Sequence, residues 1–310
     1  MQMNSFFKTL LLSSVLFLSA CGSDGSSSSD VTVQTRSIEV DFDVVASTAS
    51  AITSLTCDTV LTGIGSNATR AKLEDMRFYV SNASFLAKQT DGSEIKVPIT
   101  LSSNAWNYSS GANSVTLIDM ENKSGSCAGT TETNYKLVGT IASTAGQVLT
   151  GIEFTLGVPF EFNHTALAAM PSPLNIAAMG WSWQSGRKFA KIELVDSGDN
   201  IAPWSNSGFA FHFASTNCVG NPANGETVSC AQPNRMSYHS HSFDYQTQKI
   251  ALNLTGFLAS SAIEVANSSC MSEIGNTNCD PLFAAVKVDQ ATGQPIDGGH
   301  GQRLFKVISK

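Results

Sequence analysis

The sequence predicts an all-β domain, a sandwich of two sheets stabilised by disulfides, and three observations support this. Short segments in which apolar and polar residues alternate recur along the 310-residue chain. The connections between them are rich in Gly, Asn, Ser and Thr, whereas helical periodicity is scarce. Six cysteines, an even number, follow Cys21. Many short strands with such connections are typical of a β-sandwich.

The strands are predicted from their period-two alternation, which residues 37–44 show clearly as Ser-Ile-Glu-Val-Asp-Phe-Asp-Val. The other predicted strands are residues 76–81, 83–86, 95–101, 115–120, 136–141, 151–156, 189–195, 208–213, 248–254 and 284–288, with an Asp-Gly turn at 91–92. Helical turns are expected at residues 166–170 and 282–285. No internal repeat or interior linker is visible, so residues 35–310 are expected to form one domain.

The N-terminus resembles the leader of a bacterial lipoprotein. Lys8 precedes an apolar run over residues 10–18, which is too short for a permanent membrane span. The run ends in Leu-Ser-Ala-Cys, a lipobox-like sequence, so residues 1–20 are expected to be a signal peptide and Cys21 to be lipidated. The alternative is an ordinary signal peptide cut after residue 20. Glycine rather than aspartate follows Cys21, which favours the outer membrane, facing either the periplasm or the cell surface.

Residues 21–34 are expected to form a flexible Gly/Ser tether, because this stretch has little to bury. The whole chain has a formal net charge of −7. Removing residues 1–20, which contain one lysine and no acidic residue, makes the charge −8. An acidic chain of this kind argues against a nucleic acid as a partner.

Six cysteines in an exported chain predict disulfides. Two of the expected pairs are local and enclose Gly/Asn-rich loops, namely Cys218 with Cys230 and Cys270 with Cys279. The two remaining cysteines, Cys57 and Cys127, would then pair with each other. The last pair depends on the other two, since six cysteines permit fifteen connectivities. The alternative is zinc bound by thiolates, which usually requires closer C-x-x-C spacings.

Trp181 and Trp183 form a Trp-x-Trp pattern just after Met179. If the segment is extended, all three side chains lie on one face, because side chains alternate along a strand. The simpler interpretation is that the tryptophans are core residues and Met179 is core filler. A functional interpretation is a soft-metal site, since thioether and imidazole ligands suit Cu(I).

His164 and His212 are the candidate protein ligands of such a site. His164 ends the block Gly-Val-Pro-Phe-Glu-Phe-Asn-His, and His212 alternates with phenylalanines within residues 208–213. An imidazole in a strand of this kind is expensive to bury unless it has a partner. Either residue alone is also consistent with a hydrogen-bonded structural histidine.

His239 and His241 are two residues apart and would share one face of a strand, where they could chelate a divalent ion. The alternative is an exposed polar hairpin, because the flanking residues are serines and a tyrosine. His300 follows two glycines near the C-terminus, and by itself it is weak evidence for a metal site.

Enzyme motifs are not found in the chain. It has no Gly-x-Ser-x-Gly elbow, no Gly-rich phosphate loop, no His-Glu-x-x-His and no Cys-x-x-Cys-His haem attachment site. The sequence therefore predicts no enzyme, and any haem chemistry would have to come from a separate protein.

A set of motifs in a fixed order resembles the MbnP-like family, also described as metallo-mystery-pair four-cysteine-motif proteins. The motifs are Arg-Phe-Tyr-Val-Ser at 77–81, Gly-Ser-Cys at 125–127, the block ending at His164, the Trp-x-Trp segment, Phe-His-Phe through Cys218, Cys-Met at 270–271 with Cys279, and Gln-Arg-Leu-Phe at 302–305. Two departures are an arginine at 187, where the family has an aromatic residue, and a first strand without histidine.

The resemblance implies copper binding and a di-haem cytochrome c peroxidase-like partner. In this family the partner oxidises a tryptophan to kynurenine, which then helps to bind copper. The ligands implied here are His164 and His212 with an oxidised Trp181 or Trp183, and Met179 is a possible contributor. The expected function is copper acquisition or handling without catalysis. The alternatives are a cell-surface binding or structural sandwich without metal, and a cuproenzyme, which would need an open coordination position and a substrate pocket.

Overall fold

A computed structural model describes residues 33–310, apart from residues 145, 182–185, 222–223, 225 and 227. The predictions made for Cys21 and Trp183 therefore concern residues outside the described part of the chain. Within that part, no helix is both long enough and apolar enough to cross a membrane.

Strands dominate the described residues. The strands are β1 (Val33–Ser47), β2 (Ile52–Ser54), β3 (Leu61–Ile64), β4 (Thr69–Lys88), β5 (Glu94–Pro98), β6 (Thr100–Leu101), β7 (Asn107–Ser110), β8 (Asn113–Asp119), β9 (Lys136–Thr144), β10 (Val148–Leu156), β11 (Ala190–Asp196), β12 (Phe209–Phe213), β13 (Thr216–Val219), β14 (Ser229–Gln232), β15 (Met236–Ser240), β16 (Gln248–Asn253) and β17 (Phe305–Ser309). The α-helices are α1 (Phe160–Asn163), α2 (Leu254–Leu258) and α3 (Asp280–Val286), and short 3-10 turns lie at Leu167–Ala169, Ala177–Met179 and Asp297–Gly299. The predicted all-β class is confirmed.

Two sheets face each other. In the smaller sheet the strand order is β17-β16-β1-β9-β6, with β2 added beside β1, and the pairing of β1 with β16 is parallel. The larger sheet is built on β4, which pairs with β11 along its first half and with β10 along its second half. β12 lies outside β11, and β15 lies outside β10. β3, β8 and β5 also pair with β4, and a ribbon of β13 and β14 lies apart.

Aromatic side chains fill the space between the sheets. Phe42 of the smaller sheet lies 5.8 Å from Phe78 and 6.0 Å from Phe154, measured between ring centroids. Phe305 lies 5.4 Å from both Phe78 and Phe154 and 5.5 Å from Tyr238. These mostly edge-to-face and tilted contacts join strands from the first and last parts of the chain into one core.

One predicted strand is wrong. Residues 284–288 belong largely to α3, which has Pro281 in its first turn and ends at Lys287 in the left-handed conformation. Leu282, Phe283, Ala285 and Val286 are buried, a helical spacing that covers one apolar face. A short apolar run of this kind does not distinguish strand from helix by its pattern alone.

The three expected disulfides are all present. Cys57 and Cys127 join the loop before β3 to the loop after β8, and Cys270 and Cys279 close a short loop before α3. Cys218 and Cys230 lie directly opposite each other in the ribbon of β13 and β14. The thiolate-bound zinc alternative is therefore wrong for these six cysteines.

The outer face of the larger sheet is covered near its centre by the segment that contains α1 and two of the 3-10 turns. Tyr79 of β4 is fully buried under this segment, and its hydroxyl donates to the carbonyl of Pro173 at 2.8 Å. The N–H of Gly157 donates to the Tyr79 carbonyl at 3.0 Å. This covering segment carries His164, Met179 and Trp181, whereas His212 lies on β12 of the sheet itself.

Replacement of Phe305 by alanine should destabilise the protein by about 3–5 kcal/mol, because it removes the ring that joins Phe78, Phe154 and Tyr238 and leaves a cavity. Urea unfolding of the purified domain measures this free energy. Phe160→Ala is the matched control, since Phe160 is 45% exposed. Equal losses in the two variants would contradict the assignment of Phe305 to the core.

Candidate metal centre

Trp181 and His212 lie in ring contact on the outer side of the larger sheet. Their ring centroids are 6.1 Å apart and the rings are nearly perpendicular, at 84°. Trp181 is 36% exposed, and its backbone N–H donates to the carbonyl of Gly186 at 2.9 Å. His212 lies on the face of β12 opposite the fully buried Phe211 and Phe213, as the alternation in the sequence predicts.

Glu193 holds the imidazole of His212 in place. Nε2 of His212 is 2.6 Å from Oε1 of Glu193, and Lys191 donates to the other carboxylate oxygen at 2.7 Å. Burial alone would raise the pKa of Glu193, but the hydrogen bonds from His212 and Lys191 lower it to about 2. The carboxylate therefore stays ionised and orients the ring. Nδ1 is the nitrogen of His212 that does not contact Glu193.

A ladder of charged side chains continues behind Glu193 across β11 and β4. Lys191 donates to Asp75 at 2.5 Å, and Arg77 makes a two-point contact with the same carboxylate. Glu121 lies beyond Arg77 and accepts backbone N–H groups of the following loop. Burial raises the pKa of the neighbouring Asp119 to about 7, although Arg77 acts in the opposite direction. Charges buried in this way need such partners.

His164 lies at the end of α1 and is buried, with 8% of its surface exposed. The side-chain amide of Asn163 lies 3.1 Å from Nε2 of His164, and the Asn163 oxygen accepts the N–H of Arg187 at 2.9 Å. This second bond fixes the orientation of the amide, so Asn163 donates to Nε2. His164 is thereby held as a neutral imidazole whose Nε2 carries a lone pair.

Arg187 joins the turn of His164 to the segment of Trp181. Its guanidinium is almost fully buried and donates to the carbonyls of Leu174, Phe162 and Asn163 at 2.5–2.7 Å. Burial lowers the pKa of Arg187. The adjacent Gly186 has a positive φ of 76°, and a Cβ atom there would lie 2.6 Å from two oxygens of Asn163. The two segments approach this closely because residue 186 has no side chain.

A solvent-open groove of about 420 Å³ lies between the two segments. Thr165 and Leu167 line one side, and Trp181 and Gly186 line the other. The exposed indole edge is therefore accessible from solvent, as an oxidising partner or a metal ion would require.

Met179 does not lie beside Trp181. The 3-10 turn at Ala177–Met179 ends just before Trp181, so the alternation expected for an extended segment does not hold. Met179 is fully buried in the apolar core, whereas Trp181 is partly exposed. This location matches the interpretation of Met179 as core filler.

His164 also contacts a disulfide. Its Nε2 is 3.3 Å from the sulfur of Cys230, and the ligand atoms of His164, Cys218 and Cys230 lie within 4.8 Å of one another. Among the described residues, this is the group of at least three His, Cys, Asp or Glu side chains whose ligand atoms lie within 4.8 Å of one another. Its two sulfurs are bonded to each other, so they are not thiolate ligands.

Several residues of this region were not found from the sequence, namely Asp75, Asn163, Arg187, Lys191 and Glu193. A signal was present in two strands, because Asp-x-Arg at 75–77 and Lys-x-Glu at 191–193 place charged residues on every second position of otherwise apolar strands. No local pattern indicates that Arg187 is buried, since its partners are backbone carbonyls.

The family model of MbnP matches residues 25–272. A solved structure of MbnP from Methylosinus trichosporium superposes with a TM-score of 0.74 at 28% sequence identity. The match covers 89% of this chain and 99% of that one. No curated protein sequence matches the chain significantly.

Replacement of Arg187 by methionine should cost about 3 kcal/mol or more of unfolding free energy, because the buried carbonyls of Leu174 and Asn163 lose their hydrogen bonds to the guanidinium. The carbonyl of Phe162 keeps a hydrogen bond from Thr165. Urea unfolding is the measurement. Arg70→Met is the matched control, since Arg70 forms a partly exposed ion pair with Asp199 that contributes about 1 kcal/mol or less. Similar losses in both variants would contradict the structural role of Arg187.

The low pKa of Glu193 gives stability with a defined pH dependence. The carboxylate contributes fully above its ordinary pKa of 4.5, and the contribution is lost as the pH falls to about 2. Its size is on the order of 2–3 kcal/mol. Glu193→Gln should therefore flatten the decline in unfolding free energy over this range. Glu161→Gln, on the exposed turn of α1, should leave the decline unchanged, and an unchanged decline in Glu193→Gln would refute the assignment.

Proposed function

Since the chain belongs to the MbnP family, we propose that it is a copper-binding lipoprotein that catalyses no reaction itself. The copper ligands are His164, His212 and Trp181, the last after oxidation to kynurenine by a di-haem cytochrome c peroxidase-like partner. The observation that carries the proposal is the contact between Trp181 and His212, with Glu193 behind the imidazole. The role is copper acquisition or handling at the cell envelope.

The donor set fits copper. Imidazole nitrogens are good copper ligands, and a carboxylate on the second ring nitrogen is the usual support of a metal-bound histidine. Glu193 provides that support for His212 and holds the ring before any ion is bound, which lowers the entropic cost of binding. The Nε2 lone pair of His164 accepts a hydrogen bond from Asn163, so an ion that binds this nitrogen would have to replace that bond.

Trp181 needs chemical change before it can act as a ligand, because an indole has no free lone pair on nitrogen. Oxidation cleaves the C2–C3 bond of the indole and adds one oxygen atom to each of the two carbons. This step removes four electrons, which would reduce two molecules of peroxide to water at the partner's haems. Hydrolysis then releases formate and leaves an aryl amine and a ketone. The 36% exposure of Trp181 favours it as the target over residues of the core.

Lipidation of Cys21 would tether the domain to the outer membrane through residues 21–34. This tether would let the domain reach a partner at the membrane or in the periplasm while its acidic surface stays in water.

Peptide mass spectrometry of the protein from its native, copper-limited host tests the modification. The peptide containing residues 179–188 should show one tryptophan that has lost a carbon and gained an oxygen, and Trp181→Phe should abolish this product.

The modified protein should bind Cu(I), and His212→Ala should weaken binding by about 100-fold or more, because loss of a supporting residue alone costs about 10–100-fold.

Trp204→Phe is the matched control, since Trp204 lies away from the site and donates to the carbonyl of Arg70 at 2.8 Å. This variant should keep both the modification and the copper affinity. Modification at Trp183 would transfer the ligand role to that residue. Two unmodified tryptophans in the presence of the expressed peroxidase would favour the alternative, a surface sandwich without copper.

A further inference from the structure

Three of the five histidines lie together on another part of the larger sheet. His239 lies on β15, His241 follows that strand, and His300 comes from the loop after the 3-10 turn at Asp297–Gly299. The sequence predicts that His239 and His241 share a face, and the structure adds His300, which lies 61 residues after His239 in the chain.

The ring nitrogens have the spacing of a chelating pair. Nε2 of His239 is 2.8 Å from Nδ1 of His300, and the ring centroids are 3.9 Å apart. Two nitrogens that bind one ion at about 2.0–2.1 Å are separated by about 2.9–3.4 Å. A metal ion would replace the proton that the two imidazoles share: the nitrogens move apart by a few tenths of an ångström, and the rings rotate so that both lone pairs face the ion.

His241 is placed to complete the set. Its ring centroid is 5.6 Å from that of His239, and its side chain is 60% exposed. The ligand nitrogens of the three histidines do not all lie within 4.8 Å of one another, so His241 would have to change rotamer to join the pair. Nδ1 of His241 is 3.4 Å from a carboxylate oxygen of Glu94. This is again a histidine supported by a carboxylate, as at many metal sites.

The fold brings His300 to the strand through a glycine. Gly299 has a φ of 88°, and a Cβ atom there would lie 2.0 Å from the carbonyl oxygen of Ser237 on β15. Only glycine permits this approach, which places the next residue, His300, over the strand. The backbone of Gly298 also hydrogen-bonds the ring of His239, which fixes that imidazole.

The surroundings favour a cation. The histidines line an open pocket of about 370 Å³ together with Glu94 and Glu153, and Glu153 lies directly opposite His239 on β10. Lys96 forms an ion pair with Glu153 at 2.7 Å and points largely into solvent. Imidazole with carboxylate neighbours suits zinc and other borderline divalent ions rather than magnesium or calcium.

This cluster is separate from the centre at Trp181 and His212. His212 aligns across β11 with Arg77 of β4, whereas His239 aligns across β10 with Ser84. The two positions are seven residues apart on β4, roughly 20 Å at the rise of an extended strand.

We propose that His239, His241 and His300 form a second metal site, which binds a borderline divalent ion such as Zn²⁺. The site does not depend on kynurenine, on the partner or on the proposed copper ligands. Protein that has not been exposed to the peroxidase should therefore bind the ion at this site.

Isothermal titration of the unmodified mature protein with Zn²⁺ at neutral pH tests the proposal. The protein should take up one equivalent. His239→Ala and His300→Ala should each weaken binding by about 100-fold, and His241→Ala should weaken it by about tenfold. The control variant His164→Ala/His212→Ala should bind Zn²⁺ as the unaltered protein does.

Two results would overturn the proposal: no Zn²⁺ uptake by the unaltered protein, or uptake that persists in His239→Ala/His300→Ala. Loss of uptake in His164→Ala/His212→Ala alone would also overturn it, because the ion would then lie at the other centre. His241 and His300 are exposed, so their variants test the site without disturbing the core. Failure of copper binding at Trp181 would leave this proposal unaffected.

Discussion

The arrangement of the candidate metal centre depends on a buried cation, Arg187, that donates to backbone carbonyls from two segments of the chain. The carbonyls are those of Leu174 and, in α1, of Phe162 and Asn163, so the guanidinium holds the turn of His164 against the segment of Trp181. Burying a guanidinium is expensive, and its hydrogen bonds to these carbonyls offset part of that cost. Gly186 beside it removes the steric obstacle to this contact. The covering segment therefore has one defined position on the sheet.

The second half of the centre is positioned by charges rather than by backbone contacts. Glu193 receives hydrogen bonds from His212 and Lys191, and Lys191 in turn bridges to Asp75. These strands also bury an apolar inner face. A shift in strand register that moved the charged side chains would therefore also expose phenylalanines. Register in the core thus determines the direction of the imidazole, and packing and site geometry are coupled through two strands.

The sequence allowed prediction of the features that depend on local patterns. Alternation located most strands, and the cysteine spacing led to the three disulfides. It predicted both a helical turn at residues 282–285 and a strand at residues 284–288, because that apolar run fits both periods, and the structure has the helix. It also placed Met179 on the same face as Trp181, since a single 3-10 turn before Trp181 leaves no clear trace in the pattern. Arg187, Glu193 and His300 acquire their roles from partners distant in the chain, which no single-sequence pattern encodes.

The parallel pairing of β1 with β16 has a consequence for how the chain reaches its native state. Lys249 donates to Asp43 across this pair, and the two residues are 206 positions apart. Phe305, which completes the aromatic core, lies on the strand beyond β16. Neither the smaller sheet nor the core can be completed until Phe305 and the rest of β17 have been synthesised. Such non-local closure is slow, so the nascent protein remains open to chaperones and proteases until its last strand arrives.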